Sequence, residues 1–176
     1  MEIDVMAGPL GWTEAAEQAR LVERAGFSGM MFTEGGQTPW MSMAAAATAA
    51  PNLTFLTGIA VAFPVSPMIA ASLAWELAGQ TGGRFRLGLG SQVRAHVERR
   101  YGMQFDPPGP RMRDYLLAVQ DALAAFRGDR PLDHDGPFYR LSLLPDMWRP
   151  PRHGFGDIKV DVSAVGPWMT AMAGEV

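Results

Sequence analysis

An α/β fold, a TIM (β/α)8 barrel carried through about five βα units, is what the sequence predicts, on three observations. Short apolar segments alternate with helical ones five times over. The junctions are short and marked by glycine and proline. No dinucleotide fingerprint follows the first strand. The alternation calls for parallel strands, because helices supply their crossovers. A doubly wound nucleotide-binding sheet would place G-x-G-x-x-G after its first strand. Here that strand ends Ala7-Gly8-Pro9-Leu10-Gly11-Trp12, and the later Gly88-x-Gly90 lacks the third glycine. The barrel is the solution left, as a single partial domain spanning residues 1–176.

The elements follow in order. Ile3 to Ala7 is a short apolar run stopped by Gly8-Pro9, the signature of a buried strand. Thr13 is placed to cap a helix with Glu14 and Glu17 in its first turn and Gly26 at its end. Met30 to Phe32 is a second strand, and Pro39 opens a small-residue helix, Met41 to Ala50. Leu53 to Ala62, rich in Thr, Ile and Val, is a third strand. Ser66-Pro67 starts the next helix as N-cap and first-turn proline. Gly82-Gly83 precedes a fourth strand, Phe85 to Leu89, with a short helix from Val93 to Tyr101. Met112, Tyr115, Leu116, Val119, Leu123 and Phe126 form an amphipathic stripe that ends at Gly128. Gly136 to Leu144 predicts a hairpin excursion. Ile158 to Ala164 is the fifth strand, with Asp161 inside it, and Gly166-Pro167 begins the last helix.

Composition narrows the function. The 176 residues suit one domain, and 48% are apolar, enough for an ordinary core. A net charge of −3 without a basic run argues against nucleic acid. With no cysteine, disulfides, thiolate nucleophiles and cysteine zinc sites are excluded. No two histidines have metal-ligand spacing, so no metal is expected. The N-terminus lacks the basic and apolar regions of a signal peptide. Met41 to Ala50 is too short for a bilayer, which takes about 20 residues. A soluble cytoplasmic protein is therefore expected.

Barrel chemistry lies at the C-terminal ends of the strands. That rule selects the loops at Gly8-Pro9, Thr33 to Gly35, Ala62 to Pro64, Gly90 to Gln92 and Val165 to Pro167. Glu34 is the carboxylate sitting at a strand end, suited to positioning a ring or moving a proton. An ordinary helix-start glutamate is an equally good reading. His96, in R-A-H-V-E-R-R, is the second proton-handling candidate, weighed against a packing or pairing histidine. His134 and His153 read as surface residues. The helix starts after Ser91-Gln92 and Gly166-Pro167 offer backbone N–H groups to an anion.

Certain stretches also resemble a known family. T-G-G-R-F-R-L-G-L-G-S-Q-V-R-A-H-V-E-R-R-Y-G, from Thr81 to Gly102, resembles luciferase-like monooxygenases, closest to the coenzyme F-420-dependent oxidoreductase branch. A-R-L-V-E-R-A-G-F-S-G from Ala19, P-R-M-R-D-Y from Pro110 and S-A-V-G-P-W-M-T from Ser163 agree. The resemblance implies a bacterial luciferase-like barrel holding a flavin-type ring at its C-terminal face. It implies Glu34 near the ring and Val61 and Ala62 behind it. Gly90, Ser91 and Gln92 would lie along the edge and tail, and Ala164, Val165 and Gly166 at the tail phosphate. Gly8 belongs to the same face. It also implies a non-prolyl cis peptide within Ile59 to Phe63. The implied activity is hydride transfer between coenzyme F-420 and an organic substrate. Two alternatives stand beside it: an FMN-dependent monooxygenase, and a truncated non-catalytic barrel or interaction module. The family's chains are about twice this length, and Asp161 stands where they carry an apolar residue. Open sheet edges make a homo-oligomer the expected state.

Overall fold

The computed structural model describes all 176 residues. The chain runs β1 (Asp4–Ala7), α1 (Trp12–Arg24), β2 (Gly29–Phe32), α2 (Pro39–Ala49), β3 (Thr54–Thr57), β4 (Ala60–Val61), α3 (Pro67–Gln80) and β5 (Phe85–Gly90). It continues through α4 (Arg94–Arg99), α5 (Pro108–Arg127), β6 (His134–Asp135), β7 (Arg140–Leu141), β8 (Lys159–Val162) and α6 (Pro167–Glu175). β1 pairs with β2, β2 with β3, β3 and β4 both with β5, and β5 with β8, every pair parallel. Counting β3 and β4 as one interrupted strand, the five strands lie in sequence order, as a barrel requires. A doubly wound sheet would reverse its order at a central strand.

The interruption has a specific cause. Leu56 is opposite Arg86 and Ala60 opposite Leu89. Thr57, Gly58 and Ile59 therefore face only Leu87 and Gly88, one residue too many, which is a bulge. Thr57 closes it. Its hydroxyl donates to the Gly88 carbonyl at 2.7 Å and accepts the Gly88 N–H at 2.8 Å. A side chain at position 88 would run into the Thr57 carbonyl oxygen, so glycine is required there. A non-prolyl cis peptide joins Gly58 to Ile59, one bond ahead of the stretch in which it was expected.

The core lies between the sheet and its helices. Phe32, Phe55, Leu87 and Leu89 from the strands meet Ala70, Ala74, Tyr115, Val119 and Phe126 from α3 and α5. α1 packs on α2, and α3 on α5. The alternation of burial in β5 puts Phe85, Leu87 and Leu89 toward the helices and Arg86 on the other side. There Arg86 pairs with Asp161, its Nη2 2.8 Å from Oδ1. The hydrogen bond to Asp161 raises the Arg86 pKa. Asp161 thus fits inside β8 because its side chain points away from the helical core and finds a cation on the neighbouring strand.

Local expectations met mixed outcomes. Ser66 does cap α3, accepting from the Met68 N–H, and Gly128 ends α5 in the left-handed region at φ 84°. Thr13 is not a cap, since Gly11 holds that position and α1 already includes Trp12. His134 is not a surface residue. It is buried at the start of the β6–β7 hairpin, with Nδ1 2.7 Å from Asp121 and Nε2 3.1 Å from Asp114, both on α5. His153 is partly buried, stacked on Trp75 at 4.2 Å and within 3.0 Å of the Trp75 carbonyl. No helix is long and apolar enough to cross a membrane.

Candidate functional site

The strand ends gather most of the expected residues. Ile59, Gly90, Ser91, Gln92, Val165 and Gly166 line a cleft of about 330 Å3 between the ends of β5 and β8. That volume is at the lower end of small-molecule sites, roughly 300–1,000 Å3. No lining residue is charged. Gln92 adopts φ 60°, and its side chain turns back so that Oε1 accepts the Val93 N–H at 3.0 Å. Gly90 keeps the cleft open, because a Cβ there would sit 3.0 Å from Ile59 Cδ1 and 3.2 Å from Ser163 Cβ. Gly166 caps α6 without a side-chain bond. Pro167 has no N–H, so the Trp168 and Met169 amides are the donors that this helix start presents.

Val61 and Ala62 are buried under this rim. The Ala62 N–H donates to the Gly90 carbonyl at 2.9 Å, tying the end of the third strand to the cleft. Glu34 lies beside them, outside the cleft, with both oxygens engaged. Oε2 accepts the Val61 N–H and Oε1 the Tyr101 hydroxyl, each at 2.8 Å. One carboxylate therefore joins the ends of β2 and β4 to the segment after α4. Ala164 is half-buried next to the cleft. Gly8 is exposed and lines none of it. His96 is exposed on α4 and makes none of the side-chain hydrogen bonds at the strand ends.

The structure adds residues that the sequence reading passed over. Tyr101 is held by Glu34. Its phenol is pushed above the ordinary tyrosine range by burial first and then by the bond to that carboxylate. Arg100 lies over the Tyr101 ring at 4.9 Å and donates to the Gly35 carbonyl at 2.6 Å. Tyr115 is fully buried, its hydroxyl has no partner, and burial drives its pKa far up. The sequence signal for Tyr101 was its place directly after the arginine-rich helix, where the histidine drew attention instead. A hollow of about 480 Å3 also opens between the C-terminal half of α5 and Ile158. It lies at the opposite end of β8, away from the strand ends where barrel chemistry occurs.

Comparison with known proteins bears on the family and the fold. The profile of the family described as luciferase-like monooxygenase matches residues 2–176. An uncharacterized Mycobacterium tuberculosis protein is 36% identical over 162 residues, covering 92% of this chain and 48% of its own. A second M. tuberculosis protein, provisionally named a coenzyme F-420-dependent oxidoreductase, is 29% identical over 188 residues, covering all of this chain and 53% of its own. This chain thus spans about half the length of the curated relatives it matches. Among solved structures, the F-420-dependent tetrahydromethanopterin reductase of Methanopyrus kandleri superposes with a TM-score of 0.81 at 20% identity, covering 99% of this chain and 53% of the other. A Baeyer-Villiger monooxygenase constituent from Pseudomonas putida, in complex with FMN, superposes with a TM-score of 0.73 at 18% identity, covering 93% and 51%. The barrel-type sheet, the cleft at its strand ends and the profile match across nearly every residue place this chain in the luciferase-like monooxygenase family.

Proposed function

We propose that this chain carries the cofactor-binding strand ends of an F-420-dependent oxidoreductase, which moves a hydride to or from a small organic substrate. The observation that carries the reading is the uncharged cleft uniting Gly90, Ser91 and Gln92 with Val165 and Gly166. The residues suit such a group. Gly90 leaves a cradle that a side chain would fill, and the first turn of α6 offers two amide donors to a phosphate. The more similar named relative, at 29% identity, favours F-420 over FMN.

When bound, a deazaflavin supplies hydride exchange at its ring carbon C5, and the protein supplies orientation and a dry surface. Ile59, Val61 and Ala62 form the apolar backing beside the cleft. Gly90, Ser91 and Gln92 would border the edge of the ring, and Ala164, Val165 and Gly166 would hold the tail phosphate. Glu34 fixes the Val61 amide and, through Oε1, holds the Tyr101 proton in place. Glu34 is the first candidate for handling a substrate proton, ahead of the exposed His96.

Calorimetric titration of the 176-residue chain with F-420, and separately with FMN, tests this. Tighter binding of F-420 is the expected result, with Gly90→Leu abolishing it by filling the cradle. Tighter binding of FMN would replace the proposal with a flavin monooxygenase. Binding of neither would leave a non-catalytic module.

A further inference from the structure

A second hollow, of about 560 Å3, opens beside the loop that follows β4. The first turn of α5, the segment after α4 and the β6–β7 hairpin complete its walls. Its lining includes two arginines and no carboxylate. Arg140 is exposed and pairs with Asp135 at 2.8 Å. Arg111 forms no ion pair: Asp106 is paired with Arg94, and the buried Asp114 is engaged by His134 and the Phe138 and Tyr139 amides.

Arg111 is nevertheless held in place. Its guanidinium lies 4.7 Å from the Phe138 ring and 5.9 Å from the Phe63 ring. Nη2 donates to Gln104 Oε1 at 3.2 Å and to the Asp106 carbonyl at 3.3 Å. Nε is buried and bonds to nothing. The guanidinium also faces the Tyr139 hydroxyl, whose pKa burial raises and Arg111 pulls back down. A guanidinium withdrawn from water without a counter-charge is costly, and an anion reverses that cost. The N-terminal end of α3, at Ser66-Pro67, lines the same hollow and adds the positive end of a helix dipole. Phe63, Phe138, Tyr139 and Leu141 give the remaining wall an aromatic and apolar stretch, with Gln104 at its polar side.

We propose that this hollow is a binding site for a small organic acid. The carboxylate accepts from the Arg111 guanidinium beside the Tyr139 hydroxyl, and an apolar or aromatic body lies against Phe63, Phe138 and Leu141. A planar guanidinium already stacked on aromatic rings suits a planar carboxylate. A bare phosphate would leave the aromatic wall wet. The site is separate from the Gly90–Gly166 cleft, and its occupancy needs no flavin.

Fluorine NMR of fluorobenzoate with the full chain, in the absence of any cofactor, tests this. Saturable line broadening is expected. Arg111→Gln should weaken binding about tenfold or more, Arg111→Lys less, and Arg140→Gln by under about twofold. Near-UV circular dichroism checks that each variant is folded. If Arg111→Gln does not fold, amide shifts on the native chain decide, and these should cluster at Phe63, Gln104 and Phe138. Unchanged binding in a folded Arg111→Gln, shifts clustered elsewhere, no saturable binding, or inorganic phosphate competing as strongly as benzoate would each overturn the proposal.

Discussion

Glu34 accepts from both the Val61 amide and the Tyr101 hydroxyl, so cutting it back strands two donors at once. Glu34→Ala should lower stability by about 1–3 kcal/mol, and Tyr101→Phe by about 1 kcal/mol, in urea unfolding followed by circular dichroism. A smaller loss in Glu34→Ala than in Tyr101→Phe would show that the Val61 bond contributes nothing. All three tyrosines, Tyr101, Tyr115 and Tyr139, hold their protons above the ordinary value of 10.0, with burial the leading cause in each. A group whose folded pKa is raised adds stability that is complete below its unfolded pKa and is lost as pH climbs through the folded one. Stability should therefore hold steady up to about pH 10 and fall beyond it. Phenolate absorbance should rise together with unfolding. Full tyrosine titration near pH 10 in a still-folded chain would contradict the burial of these phenols. Glu34 was legible as a strand-end carboxylate, but Tyr101 was not. Its role depends on α4 returning to the end of β2, which no local pattern states.

Strands and helices show a similar division. The apolar runs bounded by glycine and proline located every strand of the sheet, because burial on the helical face leaves its mark in the residues themselves. The break in the third strand left no such mark, since it depends on Gly88 about thirty positions further on. The hairpin was foreseen, but its anchor was not. Asp114 is buried, and its Oδ2 accepts the Phe138 and Tyr139 amides at 2.8 and 2.9 Å while Oδ1 faces His134. The hydrophobic stripe of α5 passes through this acid without revealing a use for it. Asp114→Ala should expose those amides to hydrogen exchange and cost about 1–3 kcal/mol, the usual penalty for buried groups left unpaired. Protection of Phe138 and Tyr139 unchanged in that variant would mean that packing alone holds the hairpin. The motif after β5 supplies three residues of the cleft lining, Gly90, Ser91 and Gln92, and its glycine, which keeps space open, is visible in sequence. The hollow around Arg111 was not foretold, since four separate segments build it.

The sheet as a whole ends in β1 and β8, each paired on one side and open on the other. Val5 and Val162 are the apolar side chains that these two strands could leave bare on the inner face. Instead both pack against the core, and Met6, 66% exposed, and the Arg86–Asp161 pair occupy the side away from the helices. Strand edges of this kind pair readily with other chains. Sedimentation of the purified chain should show association that deepens with concentration, and a strictly monomeric species at every concentration would refute it. The bulge between Thr57 and Ile59 acts on the sheet as a whole in another way. Ahead of it the buried positions are odd, Leu53, Phe55 and Thr57; beyond it they include Ala60 and Ala62, while Ile59 escapes the core to line the cleft. The extra residue is a half-period shift in the strand's alternation. A substitution at Gly58 disturbs one neighbourhood, whereas deleting Gly58 would restore a uniform rhythm, with Ile59 directly after Thr57, still facing away from the helices but drawn one residue back from the cleft. The cleft thus depends on the number of residues in this strand as much as on their identity.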